Sequence, residues 1–195
     1  AMYEYEAADE VAVPWAPFKD DITIATIQDG ITNVPGYAFS KCAALESVTL
    51  PNSITTISRN SFASCSALAD LTIPNKVKEI GVNAFNACGF TSIDIPNSVT
   101  TMGNTVFSGC TALESVTLSK SMDILPTSTF NKCSALEEVY IPESYKTLNF
   151  GVFHSCSSLR KVTLAASVDS IGDYAFYNNT SMSRIYSMNT VPPKA

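Results

Sequence analysis

Residues 62–85 read FASCSALADLTIPNKVKEIGVNAF, and this stretch is one unit of a repeat that runs through most of the chain. A Phe followed three residues later by a Cys recurs at a constant interval, except that the step from Phe85 to Phe107 is one residue shorter. The pairs are Phe39/Cys42, Phe62/Cys65, Phe85/Cys88, Phe107/Cys110, Phe130/Cys133 and Phe153/Cys156. Phe176 follows after one more full interval, with Asn179 in the Cys position. A period of about 20 to 50 residues predicts a solenoid whose units bury their apolar faces against one another.

Each unit contains a short predicted strand. Leu71 and Ile73 alternate with polar Thr72, as a half-buried strand requires, and Pro74 ends the pairing because proline has no amide hydrogen. A unit of roughly two dozen residues leaves no room for a long helix, so we expect 3₁₀ turns and irregular chain after the proline. The predicted fold is a solenoid of seven to eight repeats, with a parallel β-sheet on the concave side and short 3₁₀ or irregular segments on the convex side.

One repeat differs from the others in length. Cys88 and Phe90 are two residues apart, whereas the corresponding residues of the other repeats are three apart. Glycine adopts backbone conformations that other residues avoid. We therefore expect Gly89 to absorb the deletion in the turn before the strand.

Charge and hydropathy exclude several classes of partner. The net charge of −6 arises near the N-terminus, because residues 1–30 contain seven acidic residues and one base, Lys19. Residues 31–195 contain eleven acids and eleven bases, so no basic stripe is available to bind nucleic acid or anionic lipid. No run of 18 apolar residues is present, so we expect no membrane insertion of this chain.

The repeat pattern matches a known family. The motif CxxLxxVxLPxxVxxIGxxAFxxC resembles the BspA-like, or Treponema-type, leucine-rich repeat, and it is carried position by position by Cys42, Leu45, Val48, Leu50, Pro51, Ile54, Ile57 and Phe62. The resemblance covers about residues 22–187 and implies a right-handed leucine-rich-repeat solenoid in three parts: a leader and cap at 1–21, a leucine-rich-repeat domain at 22–187, and a tail at 188–195. Residues 15–21 resemble the family's N-terminal cap, so we expect Trp15 and Phe18 to cover the first coil. Residues 185–193, which end in Val191-Pro192-Pro193, resemble the run in which its repeats finish.

The resemblance also implies a role. It implies a secreted or surface-anchored protein of a host-associated microbe that adheres to host or matrix proteins. We expect Ala1-Met2 to be a cloning remnant and the export signal to lie outside this sequence. A second hypothesis is a structural spacer that presents other modules and has no ligand of its own. The sequence leaves the oligomeric state open.

The six cysteines form one row, one per repeat. Neighbouring Cβ atoms in stacked strands should be about 4.8 Å apart, which exceeds the roughly 3.5 to 4.5 Å of a disulfide. Zinc needs four ligands that converge, and a line of thiols does not converge. We therefore favour buried free thiols that act as small hydrophobic groups, with disulfides and metal binding as the weaker alternatives.

Catalysis has no support in the sequence. His154 is the only histidine, and we expect it to be a solvated turn residue. No metalloprotease, hydrolase, dinucleotide or P-loop motif occurs, and the carboxylates are scattered without a pair at glycosidase spacing. We predict no enzymatic activity, no cofactor and no metal.

The outward side chains of the predicted sheet form straight rows. In the first five repeats these rows contain mostly Thr and Ser, but the last three change character. The candidate ligand-binding residues lie there, and they are Glu138, Tyr140, Arg160, Lys161, Arg184 and Tyr186. By strand spacing they lie within about 15 Å of one another, and Tyr and Arg are enriched in binding hot spots. Ordinary solvated residues are the alternative interpretation of the same cluster.

Overall fold

The computed structural model describes residues 13–189, which form a parallel β-solenoid of about seven turns. The single helix within that range is the 3₁₀ segment η1 (Ala16–Phe18). Residues 1–12 of the predicted leader and cap (1–21) and the Val191-Pro192-Pro193 run lie outside the described residues.

Two rows of strands run along the solenoid. The first strand row contains β1 (Ile24–Thr26), β3 (Ser47–Thr49), β6 (Ser92–Asp94), β8 (Ser115–Thr117), β10 (Glu138–Ile141), β12 (Lys161–Leu164) and β14 (Arg184–Ser187). The second strand row contains β2 (Asn33–Val34), β4 (Thr56–Ile57), β5 (Glu79–Ile80), β7 (Thr101–Met102), β9 (Ile124–Leu125), β11 (Thr147–Leu148) and β13 (Ser170–Ile171). All pairings are parallel, and partners are one repeat apart, as in Ala25 with Val48. The first row is the predicted sheet, whereas the second row was not predicted.

We number the coils by their position in the first strand row, so that coil one contains β1 and coil eight contains β14. Coil three is the exception, because its residues 69–73 form no strand. The first row therefore divides into β1-β3, β6-β8 and β10-β12-β14. The second row is continuous from β2 to β7 and again from β9 to β13.

Stacked phenyl rings form the centre of the core. From Phe39 to Phe153, successive ladder rings have centroids 5.3–5.6 Å apart and interplanar angles of 5–11°. Five of these rings are fully buried: Phe62, Phe85, Phe107, Phe130 and Phe153. One unit alone would expose its ring to water, so the ladder explains why the repeats are stable only as a stack.

The turn around each ladder Phe adds a third line of bonds between coils. In coil two the amides of Asn60, Phe62 and Ser64 donate to carbonyls one repeat later at 2.7–2.9 Å. The residues two before and two after the Phe have positive φ, such as 53° at Asn60 and 63° at Ser64. This geometry aims every second amide of the turn at the next coil. We call this five-residue segment the Phe turn.

The N-terminal end of the ladder is closed by an indole. Trp15 stacks on Phe39 with ring centroids 5.8 Å apart, and its Nε1 donates to the Ala38 carbonyl. Val13 is also buried. The expectation for Phe18 was wrong, because 61% of this residue is exposed. A 3₁₀ turn places Phe18 on the outside while Trp15 continues the aromatic stack.

Candidate binding surface

The outward side chains of the first strand row form the predicted aligned rows. We call this surface the sheet face. In β10, β12 and β14, Glu138 lies beside Lys161 and Lys161 beside Arg184. In the neighbouring row Tyr140 lies beside Thr163, which lies beside Tyr186. The structure therefore brings five of the six candidate residues into two adjacent rows on three hydrogen-bonded strands.

Arg160, the sixth candidate, lies just before β12. Its guanidinium bonds to the Glu137 carboxylate of the previous coil, and Lys161 Nζ bonds to Glu138 at 3.0 Å. Both ion pairs are exposed, so each contributes little to stability. Glu137 was missed because its role becomes visible only when Arg160 is placed one coil further along the stack.

Arg184 and the two tyrosines differ from these paired charges. Arg184 forms no ion pair with any residue in the range 13–189. Tyr140 is 49% exposed and Tyr186 47% exposed, although both stand on strands whose backbone is fixed by ladder bonds. Large amphipathic side chains held on rigid strands lose little conformational entropy when they are buried against a partner.

A second feature of the sheet face is a cleft between coils three and four. The cleft has a volume of about 360 Å³ and is lined chiefly by polar groups, including Asp70, Thr72, Ser92 and Asp94. It lies where residues 69–73 leave the ladder. The amide of Ile95 donates to Thr117 at 2.9 Å, but the amide of Ile73 in the equivalent position has no such bond.

The short repeat borders this cleft. Gly89 lies in the shortened segment, and glycine is required there by close approach and not by an unusual φ, since an added Cβ would lie 2.2 Å from the Ser66 carbonyl oxygen of the previous coil. Phe90 fills the position that Leu68 holds in coil three, and its ring packs edge-on against Phe85 at 5.6 Å. The backbone at Gly89 therefore lies close to coil three, while the Phe90 ring, which is larger than a Leu side chain, fills the space behind β6.

The predicted row of free, buried thiols is confirmed. All six cysteines are free and buried. Each thiol from Cys65 to Cys156 donates to the carbonyl of the ladder Phe of the preceding coil, with S···O distances of 3.0–3.2 Å. Each of these Phe carbonyls also accepts from the amide of the Cys three residues later, so the thiol adds a second bond to a buried acceptor.

The family is established by the repeats themselves. The model of the BspA type leucine-rich repeat region matches residues 18–89 and 78–192, with six copies. The chain belongs to the BspA-type leucine-rich-repeat family. No curated protein matches it significantly.

Several solved structures share this BspA-type fold. A leucine-rich repeat protein of T. pallidum is 28% identical with a TM-score of 0.76, over 83% of this chain and 78% of that one. A leucine-rich repeat protein from Bacteroides ovatus is 26% identical with a TM-score of 0.71, over 87% and 56%. A leucine rich cell surface protein from Faecalibacterium prausnitzii is 25% identical with a TM-score of 0.52, over 89% and 62%. This BspA-type chain thus spans little more than half of the Bacteroides ovatus protein.

His154 of the BspA-type chain is not the solvated residue that the sequence predicted. It is half-buried, and its Nδ1 lies 3.2 Å from Asn131 Oδ1 and 2.9 Å from Ser155 Oγ. Its ring also stacks on Tyr177 with centroids 5.3 Å apart. The prediction failed because Asn131 and Tyr177 are each one repeat away in sequence.

Neither a metal-binding cluster nor a membrane-spanning helix occurs in the described residues of the BspA-type chain. Within residues 13–189, no group of three His, Cys, Asp or Glu side chains is arranged to hold a metal ion. The same range contains no helix that is long and apolar enough to cross a membrane. The family is typically non-catalytic.

Proposed function

We propose that this BspA-type chain is a non-catalytic protein-binding module of a secreted or cell-surface adhesin, and that it contacts host or matrix proteins through the sheet face. The observation that carries the proposal is the cluster of Tyr140, Arg184 and Tyr186 on paired strands. A structurally similar protein from Faecalibacterium prausnitzii is a cell surface protein, which supports the location. Because the chain covers only part of its relatives, the role of the whole protein is part of this proposal.

The alternative is a spacer that has no ligand. A featureless Thr/Ser face would favour a spacer, since such side chains serve mainly to keep a strand surface hydrated. The sheet face instead has a polar cleft between coils three and four and a Tyr/Arg cluster towards its C-terminal end. These two features favour the binding module.

The test is the double substitution Tyr140→Ala with Arg184→Ala. Hot-spot residues contribute about 2 kcal/mol or more, so we expect capture of a matrix protein to weaken by at least about tenfold. The midpoint of thermal unfolding should remain unchanged, because both side chains are exposed. Surface plasmon resonance against purified fibronectin, laminin and collagen would measure the affinity.

The matched control is Ser47→Ala with Thr49→Ala, which alters the same two outward rows in β3. Its affinity should equal that of the unmodified chain. If the Tyr140/Arg184 variant bound with the same affinity as the unmodified chain, the cluster would not be part of the binding site. If the unmodified chain bound no protein of the panel, the spacer would become the better hypothesis.

A further inference from the structure

A patch of aromatic rings lies away from the sheet face, on two neighbouring Phe turns and the residue just before the first of them. We call it the aromatic patch, and it consists of Phe150, His154, Tyr174 and Tyr177. Phe150 packs edge-on against Tyr174 with ring centroids 5.4 Å apart, and Tyr174 packs edge-on against Tyr177 at 5.4 Å. His154 stacks on Tyr177. The patch is therefore continuous from one coil to the next.

These rings are exposed despite their mutual contacts. Phe150 is 51% exposed, Tyr174 55% and Tyr177 59%. Neither tyrosine hydroxyl has a hydrogen-bond partner within residues 13–189. Contiguous exposed apolar surface with a polar border is characteristic of recognition sites.

The fold does not require aromatic residues at these positions. In coils two to five the position of Phe150 holds Arg59, Val82, Asn104 and Thr127; the position of Tyr174 holds Tyr37 in coil one and then Asn60, Asn83, Thr105, Ser128 and Gly151. The position of Tyr177 holds small or polar residues in the first five Phe turns. Tyr174 also has a φ of 57°, a left-handed conformation in which Asn and Gly are more usual. Tyr174 therefore stands where Asn or Gly would suit the backbone better.

A network of amide, imidazole and hydroxyl groups borders the rings. Asn178 Nδ2 donates to Ser155 Oγ at 3.1 Å, Ser155 Oγ lies 2.9 Å from His154 Nδ1, and that nitrogen lies 3.2 Å from Asn131 Oδ1. The network leaves His154 Nε2 without a protein partner in the described part of the chain. Fixed donors and acceptors thus lie directly beside the exposed ring faces.

The charge of the region indicates an uncharged ligand. The aromatic patch and its network contain no Asp, Glu, Lys or Arg. The nearest charged residues along the chain, Lys132 and Asp173, have opposite signs. This differs from the charged rows of the sheet face, where Glu138, Lys161 and Arg184 are adjacent.

We propose that the aromatic patch binds a neutral glycan. A pyranose ring presents a face of C–H bonds that packs on aromatic rings, while its hydroxyl groups form hydrogen bonds at the ring edge. The aromatic patch offers both kinds of contact, with exposed rings for the C–H face and fixed amide, imidazole and phenol groups for the hydroxyls. A protein ligand would bury the same rings, but the rings and their network contain no charged side chain, and the flanking Asp173 and Lys132 have opposite signs, which favours a neutral glycan.

The experiment uses substitutions that the chain itself contains at equivalent positions. Asn occupies the position of Tyr174 in two earlier coils, and the position of Tyr177 in two earlier coils, so Tyr174→Asn with Tyr177→Asn preserves the backbone. Affinity electrophoresis through gels that contain soluble β-glucan, arabinoxylan, mannan or galactan measures binding. We expect at least one neutral polysaccharide to retard the unmodified chain, and we expect the variant to bind it at least tenfold more weakly.

The matched control is Tyr37→Asn, which replaces a tyrosine at the equivalent position of an early coil, where φ is 60°. Tyr37 lies beside Arg59 instead of other aromatic rings, and this variant should bind like the unmodified chain. Absence of retardation by all four polysaccharides, or equal retardation of the Tyr174/Tyr177 variant, would overturn the proposal. Binding of a matrix protein that depends on Tyr174 and Tyr177, without polysaccharide binding, would identify a protein site and would also overturn it. The Tyr140/Arg184 variant leaves the aromatic patch unchanged, so the two binding proposals can fail separately.

Discussion

At the scale of single residues, five of the buried thiols are acids held in their neutral form. Burial raises the pKa of Cys110 and Cys156 to about 12 and that of Cys42 to about 11. Burial likewise raises the pKa of Cys88 and Cys133 well above the usual range. The folded chain therefore retains these protons at pH values where an unfolded chain would lose them.

This difference predicts a loss of stability in alkali. Below about pH 8 these five thiols are neutral in both states, and their contribution is fully present. As the pH rises towards 12, the unfolded chain ionises first, and the free energy of unfolding falls by up to about 1.4 kcal/mol per pH unit for each of these five thiols. Urea unfolding midpoints between about pH 8 and about pH 11 would measure the slope.

The Cys110→Ala variant separates the thiols from other groups that titrate in alkali. This variant lacks one thiol with a raised pKa. Above about pH 9, its free energy of unfolding should therefore fall less steeply with pH than that of the unmodified chain, and the two slopes should differ by roughly 1.4 kcal/mol per pH unit. The smaller Ala side chain will also lower the free energy of unfolding at neutral pH. This constant loss does not affect the slope of the free energy of unfolding against pH. Equal slopes for the variant and the unmodified chain would show that Cys110 does not titrate as inferred.

At the scale of elements, coil three is the weak point of the first strand row. Residues 69–73 keep the alternation of exposed and buried side chains, yet they form no strand. Leu71 and Ile73 are buried like their counterparts in other coils. Inward packing is therefore preserved, whereas the amides of Leu71, Thr72 and Ile73 donate no backbone bond to a neighbouring coil.

The missing ladder bonds predict fast amide exchange in coil three. The amides of Leu71, Thr72 and Ile73 should exchange with solvent deuterium at least about tenfold faster than those of Val162 and Thr163 in β12, because unbonded amides open without disrupting a ladder. Hydrogen exchange followed by mass spectrometry of peptides, or by NMR, would measure the ratio. Equal protection in the two segments would contradict the observed gap.

A repair variant provides the control for this prediction. Insertion of one Ala after Gly89 together with Phe90→Leu restores the common repeat length and the usual Leu. We expect this variant to slow exchange in residues 69–73 and to leave exchange in β12 unchanged. Unchanged exchange in coil three would show that the short repeat is not the cause of the cleft.

At the scale of the whole molecule, stability comes from contacts between neighbouring coils. Phe107 stacks between Phe85 and Phe130, with centroid distances of 5.6 and 5.5 Å. Phe107→Ala should lower the free energy of unfolding by about 3 to 5 kcal/mol. Because each coil contacts only its neighbours, the loss should spread to adjoining coils and broaden the transition.

Differential scanning calorimetry would measure the midpoint and the width of this transition. Phe18→Ala is the control, since Phe18 is exposed and its removal should change stability by no more than about 0.5 kcal/mol. A sharp transition of Phe107→Ala at the unchanged temperature would contradict the one-dimensional description of the stack.

The sequence by itself determined the period, the first strand row, the inward Phe and Cys rows and the family. These features follow from patterns that can be read directly along the chain. Apolar alternation and a strand-ending proline act within one repeat, and the regular spacing relates each repeat to the next. The same reasoning placed the Tyr140/Arg184 cluster in neighbouring rows, since register follows once the repeats stack. The position of Gly89 in the short repeat was predictable for the same reason.

Only the tertiary structure decided the features that depend on contacts between coils. Lys41, Thr105 and Lys132 adopt positive φ because their turns donate amides to the next coil, and nothing in their own chemistry predicts it. The second strand row consists of two-residue pairs that no single repeat can form. The cleft beside coil three and the aromatic patch likewise arise from side chains that are a full repeat apart in sequence and adjacent in the stack.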